Sequence, residues 1–157
     1  MTQQKKPADK SAEAAKIVRN HMFGSVASGV LPIPLLDIAI LGGIQLRMVR
    51  KLAEHYEVEF SEQRANAIIG SLAGVSFAMA AGSILGSLFG MGRALLGISM
   101  LTLPPASTYA IGQVFIKHFE SGGTFLNFDT KRAKEDYDEE LEKGKRVAQQ
   151  SFVGVRP

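Results

Sequence analysis

Three histidines, a local group of glutamates and one isolated aspartate are the residues of this chain whose types could do chemistry. His21, His55 and His118 lie far apart and offer no metal-site spacing to one another. Each falls at the end of an apolar stretch, where an imidazole can join a buried surface to water. Glu54, Glu57, Glu59 and Glu62 are close in sequence, but Arg50, Lys51 and Arg64 surround them. That pattern reads as a solvated face rather than an acid–base pair. Asp37 stands alone in "IPLLDIAIL", the only Asp, Glu, Lys or Arg between Arg19 and Arg47. One reading makes it a complement to the positive end of a helix, a contribution of about 0.3–1 kcal/mol. The other makes it an intramembrane carboxylate, for proton or ion movement or for pairing with Arg47 or Arg93. No nucleophile–base set can be assembled, and the absence of cysteine removes thiolate chemistry and Cys-ligated metal. The expectation is therefore no catalytic residue, no cofactor, no metal and no enzymatic activity. A formal charge of +3, with no basic stripe interleaved by aromatics, gives no reason to expect nucleic acid.

The elements that would carry these residues are all helical, because no period-2 alternation is long enough for a strand. Residues 1–10 read as a disordered polar tail, and the N-terminus lacks the apolar core of a secretory signal. Ser11 caps a first helix that stops before Pro32. "LPIPLLD" restarts the chain, and a second helix runs from about Leu35 to Tyr56, apolar to Leu46 and amphipathic beyond. Ser61 caps the next helix, which enters an uncharged run from Ala65 to Gly92. A second uncharged run, Ala94–Ile116, contains Pro104 and Pro105. These two prolines divide it into a short helix ending near Leu103 and another from Pro105 to Glu120. "SGG" at Ser121–Gly123 terminates that helix, and Asp129 or Thr130 caps a charged C-terminal helix over 129–150. That helix has one thin apolar stripe, Ala133, Tyr137, Leu141 and Ala148, and dense charge pairs four residues apart. Residues 151–157 read as a flexible tail. The domain organisation is thus a helical membrane-associated domain over 11–128 with the charged helix appended.

Gly70, Gly74, Ala78, Gly82, Gly86 and Gly90 recur at a spacing of four, so they form one ridge of a helix almost without side chains. Its five glycines would cost roughly 4–5 kcal/mol relative to alanine in water. A bilayer enforces helix regardless, and small-xxx-small ridges are packing surfaces between membrane helices. The 28 residues of Ala65–Gly92 would extend about 42 Å as helix, enough to cross a hydrocarbon core of about 30 Å with tilt. In a hairpin of the two uncharged runs, Arg93 alone marks the far turn. The other Lys and Arg residues lie on the near side, which places both termini in the cytoplasm.

Several motifs coincide in order: Pro-x-Pro-x-x-Asp at Pro32–Asp37, "IQLRM" from Ile44, "TYAIG" from Thr108, "GGTFLNFD" from Gly122 and "EELEKGK" from Glu139. The set resembles the bacterial family called domain of unknown function 697, over about Ala27–Ala148. That resemblance implies membrane association, at the bacterial inner membrane, and an Era-like GTPase as neighbour or partner, but no reaction. The chain has no G-x-x-x-x-G-K-[ST] of its own. The fold class is then all-α, a glycine-rich helical hairpin flanked by amphipathic helices. The expected function is a non-enzymatic, membrane-integrated protein that assembles into homo-oligomers through its glycine ridge and meets a GTPase through its charged helices. The alternative is a soluble or peripherally bound oligomeric helical module. A small transporter or channel component is a third reading, for which only Asp37 and Arg93 offer charge.

Overall fold

The computed structural model describes residues 7–26, 34–87 and 93–152, with side chains over 7–26, 38–74 and 102–151. Five helices follow one another: α1 Pro7–Gly24, α2 Pro34–Tyr56, α3 Glu62–Ser87, α4 Arg93–Glu120 and α5 Thr130–Phe152. Among the described residues there is no strand, so the all-α class holds.

Helix α4 is the centre and touches all four others. Its sequence explains the position. From Thr102 to Phe119 buried residues occur all round the helix, including Ala106, Ala110, Ile111, Val114, Phe115 and Ile116. A helix apolar on every side must be wrapped by others. The wrapping helices each contribute one stripe: Ala14, Val18 and Met22 from α1, Met48, Val49, Leu52 and Ala53 from α2, Ala65, Ile68, Ile69, Leu72 and Ala73 from α3. Those are helical spacings of three and four.

Two close approaches set how tightly α4 is held. A Cβ on Gly112 would stand 2.4 Å from a methyl of Val18, so α1 crosses α4 at this glycine. A Cβ on Gly144 would stand 2.7 Å from the carbonyl oxygen of Ala106. Gly144 continues the buried stripe of α5, Ala133, Tyr137, Leu141 and Ala148. The charged helix is therefore seated along α4, backbone against backbone.

The helix ends are built by two related caps. At α4, Gly123 N–H donates to the His118 carbonyl and Gly122 N–H to that of Phe119, with Gly122 at φ 81°. At α2 the same pair of bonds runs from Val58 to Ala53 and from Glu57 to Glu54, but Glu57 takes the left-handed conformation at φ 60°. Both match the Schellman arrangement, in which glycine ordinarily occupies that position. Asp129 caps α5, its Oδ1 accepting from the N–H groups of Lys131 (3.0 Å) and Arg132 (3.2 Å).

Several boundaries differ from the sequence reading. Helix α1 begins at Pro7 rather than at Ser11, because proline suits the first helical position and Asp9 follows in the first turn. The Ser11 hydroxyl is used elsewhere, donating to Glu120. Pro104 and Pro105 do not divide the chain but lie inside one continuous α4. Proline's fixed φ is itself helical, and what it costs is a hydrogen bond and a clash with the preceding turn, about 3 kcal/mol. Burial of the turn that follows, with Pro105, Ala106, Ser107 and Thr108 all enclosed, holds the helix through that cost. Helix α1 ends at Gly24 rather than just before Pro32, and α5 runs to Phe152, into the expected tail over 151–157, of which 153–157 lie outside the described residues.

Candidate membrane-proximal surface

Helix direction decides where the charges go. Helix α2 runs from a half whose only charge is Asp37 to its charged half, α3 from charged to uncharged, and α4 from a half whose only charge is Arg93 to its charged end. Arg50–Glu62 ties the rear of α2 to the start of α3, and Gln45–Ser107 with Tyr56–Glu120 hold α2 and α4 side by side in the same direction. The three sparsely charged halves therefore lie towards one end of the bundle. The opposite end gathers the start of α1, the ends of α2 and α4 and the start of α5.

That charged end is tied by side chains far apart in sequence. Glu120 Oε1 accepts from the Ser11 hydroxyl at 2.5 Å and from the Tyr56 hydroxyl at 2.8 Å, joining α1, α2 and α4. Burial and the hydrogen bond to the Glu120 carboxylate push the Tyr56 phenol well above its ordinary range. Lys117 of α4 meets Asp136 of α5 at 2.5 Å, and that carboxylate holds the ammonium above its usual range. Phe115, Phe119, Phe125 and Phe128 stack within this end, with centroids 5.1–5.7 Å apart among the contacting pairs.

The histidines belong to this architecture. His21 Nδ1–H donates to the Ile17 carbonyl (2.8 Å), His55 Nε2–H to that of Lys10 (2.8 Å) and His118 Nε2–H to that of Thr124 (2.9 Å). A carbonyl can only accept, so each contact fixes which ring nitrogen carries a proton. Each imidazole ties a backbone segment in place. Of the acidic group, Glu57 pairs with Lys10 and Glu62 with Arg50. Among the described residues no group of three His, Cys, Asp or Glu could hold a metal ion.

A buried polar chain was missed by sequence reasoning. Gln45 Nε2 of α2 donates to Ser107 Oγ of α4 at 3.1 Å, and Ser107 Oγ lies 3.1 Å from the Tyr137 hydroxyl of α5. All three residues are buried. The one available signal was Gln45, a polar residue inside the apolar stretch of α2. Ser107's hydrogen bonds go to an amide and a phenol, so no base activates it, and the chain positions three helices rather than reacting.

The glycine ridge has a different environment from the packed glycines. Gly70 and Gly74 are exposed, and a Cβ on either would meet nothing within 4 Å. They lie on α3 opposite its buried stripe, and among the described residues nothing covers them. Ala78, Gly82 and Gly86 continue the row along α3, but their surroundings, and Gly90 altogether, lie outside the described residues. Asp37 is the fourth residue of α2 and Arg93 the first of α4; the contacts of both side chains, and the turn over 88–92, are likewise outside them. Among the described residues no helix is long and apolar enough to cross a membrane.

With this geometry in hand, comparison with known proteins is informative. The family described as domain of unknown function 697 matches residues 2–146. The chain belongs to that family. Magnetosome membrane protein 22 of Magnetospirillum gryphiswaldense is 37% identical over 140 residues, 86% of this chain and 72% of that one. No solved structure matches the chain. The motifs that carry the family resemblance fall on the positions that hold this fold. "IQLRM" supplies Gln45, "TYAIG" supplies Gly112 at the α1 crossing, "GGTFLNFD" supplies Gly122 and the Asp129 cap, and "EELEKGK" supplies Gly144.

Proposed function

We propose that this member of the family is a non-enzymatic, membrane-anchored assembly protein of the bacterial inner membrane. Its uncharged end enters the bilayer, and its charged end, with the start of α1, stays on the cytoplasmic side. The observation that carries the reading is the bare ridge at Gly70 and Gly74, uncovered among the described residues and leading into an uncharged run. A ridge without side chains lets a second helix approach to backbone distance, and small-residue ridges do this between membrane helices. The membrane-protein name of the relative from Magnetospirillum gryphiswaldense supports the location. Self-association through the ridge makes a homo-oligomer. The outer face of α5, opposite the stripe held by α4, remains for a cytoplasmic partner, and the family resemblance points to an Era-like GTPase.

Carbonate extraction of native membranes tests the anchoring: the chain should stay in the pellet, and its release would overturn it. Gly70→Leu with Gly74→Leu tests the ridge. Cross-linked oligomers in the membrane should disappear while helical content is retained, and unchanged cross-linking would refute the interface. Binding of a purified Era-like GTPase to the whole chain in its GTP and GDP states tests the partner, with no binding in either state counting against it.

The second reading, a soluble or peripherally bound oligomer, draws on the absence of a spanning helix among the described residues. It expects a monodisperse, detergent-free particle of several times the 16.9 kDa chain mass.

A further inference from the structure

The groove between α1 and α2 has a chemistry that the assembly reading does not use. It holds about 580 Å³ and is lined by Asn20 and His21 from α1 and by Arg47, Arg50, Lys51 and Glu54 from α2, with Ile44 as its apolar wall. The α2 residues sit at i, i+3, i+4 and i+7, one face of the helix. Three cations face one carboxylate. Arg50 is held by Glu62 at 3.2 Å and lies over the Phe60 ring at 4.8 Å. Arg47 and Lys51 are exposed, and among the described residues no carboxylate pairs with either. His21 has committed its Nδ1–H to the Ile17 carbonyl, so it stands beside the groove as a positioned ring rather than as a donor. Guanidinium, ammonium and side-chain amide together form a donor set for phosphate oxygens.

Position selects the source of that phosphate. Arg47 is the first charged residue after the uncharged stretch Ile38–Leu46 of α2, so the groove opens at the boundary between the two ends of the bundle. Phe23, three residues after Asn20 on α1, is 47% exposed at the same level. Cations beside apolar side chains at such a boundary match the layer where phospholipid headgroups meet acyl chains. Glu54 stands at the end nearer the charged half, which opposes an anionic partner extending that way.

We propose that this groove seats the phosphate of an anionic phospholipid headgroup, held by Arg47 and Lys51 with Asn20 and His21 beside them. The proposal rests on the membrane-anchored reading and names the lipid met by the anchored molecule. The whole chain in a neutral detergent, given equal amounts of phosphatidylglycerol and phosphatidylcholine, tests it when retained lipid is measured by mass spectrometry. The wild-type chain should retain phosphatidylglycerol over phosphatidylcholine by about fivefold or more, as expected for several cations near one phosphate. Arg47→Ala with Lys51→Ala should bring the ratio close to one, and Arg47→Lys should keep most of the preference. Lys131→Ala with Arg146→Ala, which removes the same charge from α5, should leave it unchanged.

An unchanged ratio in the groove variant, or an equal loss in the α5 variant, would overturn the proposal. So would displacement of the lipid by millimolar inorganic phosphate, or by an acidic peptide in preference to lipid. Carbonate extraction of the same variants separates the two readings. Wild-type chain retained in membranes but without headgroup preference sinks the groove alone, whereas release of the wild-type chain sinks the anchoring beneath it.

Discussion

The two ends of this bundle are built by different rules. At the charged end, α1, α2, α4 and α5 are joined by Ser11–Glu120–Tyr56, Lys117–Asp136 and a nest of phenylalanine rings. Partners there can be 109 residues apart. At the uncharged end, α3 turns a bare glycine ridge outward at Gly70 and Gly74. The same residue type does opposite work in the two regions. Gly112 and Gly144 are glycine because another part of this chain presses on them, against Val18 and Ala106. Gly70 and Gly74 have no such neighbour among the described residues, and their surface is bare there. A glycine's role in this fold is read from what touches it, not from its spacing.

The largest break in that contrast should come from the charged end. Phe115 is fully buried among Phe119, Phe125 and Phe128, so Phe115→Ala should lower stability by about 3–5 kcal/mol. Denaturant unfolding followed by circular dichroism measures it, and a loss below that range would mean that the ring cluster is not the keystone. Gly144→Ala comes next. Its Cβ would press on a backbone carbonyl that cannot rotate away, a cost of about 1–3 kcal/mol that exceeds the gain in helix propensity. A rise in the unfolding midpoint would show that α5 does not lie against α4 as described.

A smaller effect concerns pH. Tyr56 has its phenol raised above the ordinary 10.0 by burial and by Glu120, and Tyr109 is raised by burial and Glu140. Below the unfolded-state value both states keep the proton, and the Tyr56–Glu120 bond contributes fully. As pH climbs past it, the unfolded chain ionises first and stability falls. Alkaline unfolding should therefore begin above about pH 10 and should be shallower in Tyr56→Phe, which an unfolding series across that range checks.

The smallest change in stability, with the opposite sign, belongs to the ridge. Gly70→Ala and Gly74→Ala should each raise helix stability by about 0.5–1 kcal/mol, since an added Cβ meets nothing within 4 Å among the described residues. A destabilised chain with either alanine would mean that the ridge is covered from within.

Much of this fold was legible in the sequence because much of it is local. The start of α2 beside Pro34, the glycine stop at Gly122, the Asp129 cap and the stripe of α5 all follow from residues within a turn or two of the feature they make. The thin stripe of α5 was visible, but Gly144 within it carried the decisive information, because only a glycine lets two backbones meet there. What escaped was long-range. Nothing in the periodicity of α1 announces that Ser11 will meet Glu120, or that Gln45, Ser107 and Tyr137 will close one chain of hydrogen bonds. Those contacts depend on which helix faces which, a property of the packed bundle. Of the ridge, Gly70 and Gly74 were legible as a bare surface, and their outward aspect needed the fold. The proline pair failed for another reason: local cost was set against burial, and burial was the larger quantity.

That proline pair leaves a mechanical consequence in α4. Pro104 and Pro105 have no N–H to give, so the carbonyls of Met100 and Leu101 lose the donors that a helix would supply. The carbonyl of Pro104 receives the Thr108 side-chain hydroxyl, at 2.9 Å. For one turn, at the junction of the uncharged and charged ends, α4 is continuous in shape but not in its rungs. Two of the rungs that would cross that turn are missing, so this is where the central helix of the bundle resists bending least.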